Sequence, residues 1–129
     1  MMSNSASPVV TGWAARFRCA IKGVDVAVRS QDSMRIQLAA AAGATLLGLA
    51  LKLSTSEWCA VVLAITVVLA SEALNTSIEL VVDLVSPEYH AIAGRAKDVA
   101  AGAVLIAASG AAAVGLIVFG PHLWTRLHG

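Results

Sequence analysis

The apolar run from Trp58 to Val85 carries four polar groups, Glu72, Asn75, Glu79 and Asp83, that a plain membrane anchor has no reason to keep. An ionisable side chain near the centre of a membrane helix costs at least about 2.5–3.5 kcal/mol. Their spacing is i, i+3, i+7, i+11, which at about 100° per residue confines them to an arc of about 80°. The rest of the turn, including Leu74, Ile78, Val81 and Val82, suits lipid or a partner helix. The pattern is one long helix with a single carboxylate stripe, and the stripe points to chemistry or transport.

The remainder of the chain fits around such a helix. With 129 residues, 58 % of them hydrophobic and 13 % charged, the composition lies outside soluble-domain norms and predicts an all-α integral membrane protein. Three spans are expected, at about 34–53, 58–85 and 99–119, the first with Arg35 and Lys52 placed to snorkel at its ends. Small residues in the first and third, among them Gly43, Gly48, Gly102 and Gly110, permit close helix packing.

Ahead of the spans, about 13–29, Trp13, Phe17, Ile21, Val24 and Val28 form one stripe, and Arg18, Lys22, Asp25 and Arg29 another. This predicts an amphipathic helix on the membrane surface, the alternative being an ordinary helix packed on the bundle. Residues 1–12 read as a short mobile tail without the features of a cleavable signal peptide, and 13–129 as one membrane-embedded domain.

Charge orients the chain. Arg16, Arg18, Lys22, Arg29, Arg35, Arg95 and Lys97 would share one side, against Lys52 and Arg126 on the other, so the N-terminus and second loop are expected in the cytoplasm. Cys19 and Cys59 then lie on opposite sides, and neither a disulfide nor a thiolate metal site is expected. If the second span enters the membrane at Trp58, Glu72 lies ~21 Å along it, Glu79 ~31 Å and Asp83 ~37 Å. The stripe therefore crosses the layer where a lipid headgroup and a soluble nucleotide can meet.

Ser86-Pro87-Glu88 reads as a sharp turn, with Ser86 capping and the third span's helix starting at Pro87. A hairpin about Ser86 would bring Lys97 and Asp98 level with Asn75 and Leu74. Gly120-Pro121 reads as a helix stop, leaving His122, Arg126 and His128 in a solvated tail. Trp58 and Trp124 read as aromatic-belt anchors, and His90 as a hydrogen-bonded interfacial residue rather than a ligand. Two acids able to hold a divalent cation, a lysine for phosphate and a further carboxylate as base are the parts of phosphoryl transfer. The same residues could instead form structural salt bridges. A small proton-coupled transporter would also keep Glu72 but has no need of a Lys-Asp pair; a non-catalytic scaffold would leave the stripe unexplained.

The motif Glu72-Ala-Leu-Asn75-Thr-Ser-Ile-Glu79-Leu-Val-Val-Asp83, followed by Glu88-Tyr89-His90 and Ala96-Lys97-Asp98, closely resembles the prokaryotic diacylglycerol kinase family, which includes the undecaprenol kinases. The family pattern is E-x-L-N-[ST]-x-I-E-x-x-V-D, then E-Y-H and A-K-D. The likeness is dense over about 72–106 and looser over 21–37. It implies a homotrimer in the bacterial inner membrane, with sites shared between subunits, that phosphorylates a membrane lipid alcohol from MgATP without a P-loop. No nucleic-acid partner is implied. By the resemblance, Glu72 is the catalytic base and Glu79 a Mg²⁺ ligand. Lys97, Asp98, Glu79 and Lys22 bind ATP, and Asn75, Asp83, Glu88 and Arg35 support the site. One position departs from the pattern. Four residues before Arg35 the family's diacylglycerol kinases carry a second metal-binding glutamate, where this chain has Gln31, followed by Asp32. Either Asp32 substitutes, or Gln31 binds through its carbonyl, or metal affinity has fallen.

Overall fold

The computed structural model describes residues 12–129, and residues 1–11 of the tail expected over 1–12 lie outside the described residues. Four helices follow in order: α1 (Trp13–Ser30), α2 (Asp32–Leu51), α3 (Thr55–Val85) and α4 (Ala91–His128). The last three are each long and apolar enough to cross a membrane. The expected spans 58–85 and 99–119 fall inside α3 and α4, whereas α2 ends at Leu51, two residues before the expected end of the first span.

The helix boundaries have local causes. Gly12 precedes α1 with φ 108°, a backbone conformation natural to glycine. Gln31 is the single break between α1 and α2, with extended backbone at φ −124° and ψ 121°. Its N–H still donates to Ala27 O, and its carbonyl already accepts from Arg35 N, so one residue ends one helix and opens the next. α2 closes in the Schellman pattern, Leu53 N to Gly48 O and Lys52 N to Leu49 O, with Lys52 left-handed at φ 57°. Two residues later a capping box opens α3: Glu57 N donates to Ser54 Oγ, and Ser54 N donates to Glu57 Oε2.

Two boundaries differ from the sequence expectation. α4 starts at Ala91, not at Pro87, because His90 caps it, its Nδ1 accepting from Ile92 N at 3.2 Å. Ser86 instead ends α3, and its hydroxyl donates to Glu88 O. Pro121 does not stop α4, which runs through it to His128. Proline supplies no N–H for Ile117 O, four residues back, a loss that membrane helices tolerate more readily than soluble ones. His122, Arg126 and His128 are thus helical rather than tail residues.

α3 and α4 form the main antiparallel pair, with α2 against α3 and α1 packed on α2 and α3. At the end remote from α1, Leu51, Leu53, Val61 and Val118 form an apolar core with Leu47, Trp58 and Phe119 around it. Trp58 packs over Gly48, where an added Cβ would lie 2.8 Å from Trp58 Cη2; the ring is half-buried in this core rather than only a surface anchor. Toward mid-span, α2, α3 and α4 enclose an apolar crevice of about 260 Å³ among Ala41, Ala44, Val61, Ile65 and Ala112. Apolar residues facing out of the bundle are exposed, including Leu46, Leu74, Leu105 and Ile117, and so are Trp13, Phe17, Ile21 and Val24 along α1. Cys19 and Cys59 are both free.

Candidate active site

At the α1 end the interior of the bundle is polar. Glu72 is 2 % exposed, and Asn75 and Thr76 are buried with it. The i, i+3, i+7 spacing turns Glu72, Asn75 and Glu79 toward α2 and the α1–α2 junction, as the stripe predicts. The Glu72 carboxylate accepts from Ser33 Oγ at 3.0 Å. Its backbone carbonyl takes the Thr76 hydroxyl at 3.0 Å, a back-bond that satisfies threonine inside the helix. Glu79 accepts twice, from Gln31 Nε2 at 2.6 Å on Oε2 and from Asn75 Nδ2 at 3.0 Å on Oε1. Among the described residues the Asn75 Oδ1 atom is buried without a partner. Leaving such an acceptor unpaired costs about 1–3 kcal/mol.

The break at Gln31 explains how α2 contributes. An extended residue between two helices projects its side chain across to α3, and Ser33 follows in the first turn of α2. Asp32 pairs with Arg35 at 2.8 Å on the exposed side. Of the two residues that could replace the family's second glutamate, the structure therefore brings Gln31 to Glu79 and gives Asp32 to Arg35.

Lys97 lies closer to the α3–α4 linker than the hairpin reading set it. Its Nζ donates to Asp83 Oδ1 at 2.5 Å instead of standing level with Asn75. The cause is the linker: residues 86–90 are non-helical, which shifts α4 along α3 relative to a turn centred on Ser86. Lys97 and Asp83 are partly exposed at the rim. Asp98, Glu88 and Lys22 are exposed and, among the described residues, make no hydrogen bond to the Glu72–Glu79 group. Ser33 and Thr76 were not singled out from the sequence. Thr76 sits inside the motif one turn from Glu72, whereas Ser33 has no local signal at all.

The donor set is all oxygen. Among the described residues no three carboxylate, imidazole or thiol side chains converge on one point. Glu79, the orphaned Asn75 Oδ1 and the Gln31 amide, whose oxygen and nitrogen exchange by a flip of the group, are hard ligands. That set fits Mg²⁺, which takes one or two carboxylates from a protein and completes its shell with water and phosphate.

Comparison with known proteins covers most of the chain. The model of the prokaryotic diacylglycerol kinase family matches residues 18–119. An undecaprenol kinase of Bacillus subtilis (strain 168) is 36 % identical over 102 residues, covering 79 % of this chain and 83 % of that protein. A diacylglycerol kinase of Synechocystis sp. is 38 % identical over 125 residues, covering 95 % of this chain and 70 % of the other. The diacylglycerol kinase of Escherichia coli (strain K12) is 51 % identical, but over 43 residues only, about a third of each chain.

Proposed function

Because the chain belongs to the prokaryotic diacylglycerol kinase family, we propose that Glu72 is the general base by which it phosphorylates a membrane lipid alcohol. The protein is an ATP-dependent membrane lipid kinase. In the reaction the lipid hydroxyl oxygen bonds to the γ-phosphorus while the bond from that phosphorus to the β–γ bridging oxygen breaks. ADP leaves with the electron pair, and Glu72 takes the hydroxyl proton.

One observation carries the role of Glu72: a nearly fully buried carboxylate whose side-chain partner is a neutral hydroxyl, not a cation. A structural salt bridge would give a buried acid a cationic partner, since an unpaired buried charge is costly. A general base needs the reverse, an ionised oxygen that stays available. Glu79 would hold Mg²⁺ with the amide oxygens of Asn75 and Gln31. When bound, the ion neutralises charge on the transferring phosphates. Lys97 would release Asp83 to meet phosphate, and Asp98, Glu88 and Lys22 would act at the nucleotide rim. The cationic residues gathered at the α1 end support a cytoplasmic location for that end in the bacterial inner membrane. The family resemblance supports self-association as a homotrimer with sites between neighbours.

The test is transfer of labelled γ-phosphate from MgATP to diacylglycerol and to undecaprenol in parallel. Label in phosphatidic acid or undecaprenyl phosphate identifies the lipid. Absence of label in either, from a folded oligomer, removes both as substrates and reopens the transporter reading. In the same assay Glu79→Gln should raise the Mg²⁺ concentration needed for half-maximal rate; an unchanged titration would remove Glu79 from the metal site.

A further inference from the structure

Two side chains reach from the start of α2 to the two glutamates of α3. Gln31 reaches Glu79, and two residues on, Ser33 reaches Glu72. The second contact meets the need of Glu72 for a hydrogen bond but no need of Ser33. A first-turn serine on an exposed stretch of helix is satisfied by water, and Ser33 is exposed. Its hydroxyl is nevertheless aimed at the one buried carboxylate among the described residues.

We propose that Ser33 is a positioning residue for phosphoryl transfer: by donating to Glu72 Oε2 it fixes the carboxylate so that Oε1 faces the lipid hydroxyl. The proposal rests on the reading of Glu72 as base. A glutamate has three rotatable side-chain bonds, and Glu72 has no cation to orient it, so the serine is the group that selects one rotamer. Among the described residues, Oε2 takes the hydrogen bond and Oε1 takes none. A neutral hydroxyl suits this task because it orients the carboxylate without neutralising it. Positioning of this kind acts on the chemical step rather than on binding, since reacting groups must be held in near-attack geometry.

The contact also couples two parts of the fold. Ser33 follows the break at Gln31, so the placement of α1 and α2 sets where the hydroxyl meets α3. Asp32, between them, is held away by Arg35 and keeps a second negative charge off Glu72 and Glu79.

The experiment compares wild type, Ser33→Ala, Ser33→Thr, Glu72→Gln and the Ser33→Ala/Glu72→Gln double variant. Each is measured for kcat, for KM toward lipid and MgATP, and for oligomer elution and melting temperature. Ser33→Ala should lower kcat roughly ten- to a hundredfold, the effect of one hydrogen bond to a charged group, with both KM values near wild type. Ser33→Thr, which keeps the hydroxyl, should restore most of the rate. In the Glu72→Gln background the alanine substitution should cost no further rate, because the two residues act as one unit. Wild-type kcat in Ser33→Ala alongside an inactive Glu72→Gln overturns the positioning role and leaves the base intact. A loss that threonine does not restore, or that adds fully to Glu72→Gln, also overturns it. Full turnover in Glu72→Gln removes the base reading and the proposal with it.

Discussion

The two ends of the bundle bury different things. At the end remote from α1, the core is Leu51, Leu53, Val61 and Val118, and its polar groups are paired with one another. Glu57 takes the Ser54 backbone N–H and meets His122 at 2.9 Å, while Arg126 donates to Ala50 O at 3.2 Å. At the α1 end the buried polar groups are Glu72, Asn75 and Thr76, with, among the described residues, one carboxylate lacking a cation and one amide oxygen lacking any partner. The first end is built as a stable fold would be, with polar atoms satisfied and apolar atoms packed. The second forgoes that satisfaction, as sites selected for activity do. Structure and function are thus divided along the length of the same helices.

Substitutions at the two ends should separate accordingly. The largest effect is expected for Glu72→Gln, which should cut turnover by about 10²–10⁴-fold, the usual contribution of a general base, while the melting temperature stays level or rises. Next is Gly48→Ala at the opposite end. Its methyl would meet Trp58 and Leu53 at 2.8 and 3.0 Å and should destabilise the protein by about 1–3 kcal/mol, with the rate per folded molecule unchanged. Loss of rate in the folded fraction would blur the division.

Gln31→Glu should sharpen it. The new carboxylate would face Glu79 where an amide donor now sits at 2.6 Å, so the chelator-treated protein should melt lower than wild type. Mg²⁺ should raise its melting temperature more than it raises that of wild type, and half-maximal rate should need several-fold less Mg²⁺. A variant indifferent to Mg²⁺ in both readouts would place the ion elsewhere. The smallest effect is expected for Glu57→Gln. The Glu57–His122 contact is half-buried, but glutamine keeps a hydrogen-bonding oxygen for His122 and for the capping box, so melting should fall by no more than a few degrees and turnover should hold.

What could be read from the sequence divides along a different line. The spans and the stripe were legible because both are periodic patterns within one helix, set by hydropathy and the 3.6-residue turn. Glu72, Asn75 and Glu79 do share a face, and Asn75 and Glu79 bond directly. The α4 start was not legible, because Pro87 after Ser86 imitates a helix opening and histidine is an uncommon cap. Pro121 misled for a related reason: the rule that proline ends a helix is weaker where neighbouring groups and the membrane hold the helix together. The position of Lys97 inherited the error in the linker. Ser33 and the reach of Gln31 lay beyond any local pattern, since each acts on a residue 39 or 48 positions away. Contacts across helices depend on how the helices pack.

The central claim, that chemistry resides at the α1 end and stability at the other, is tested most directly by one paired measurement. Initial rates of γ-phosphate transfer to the lipid substrate would be taken for Glu72→Gln and Glu57→Gln, each from the folded oligomer peak, beside wild type. The account predicts a rate near background for Glu72→Gln and near wild type for Glu57→Gln. Comparable losses in both, or turnover retained in Glu72→Gln, would contradict it.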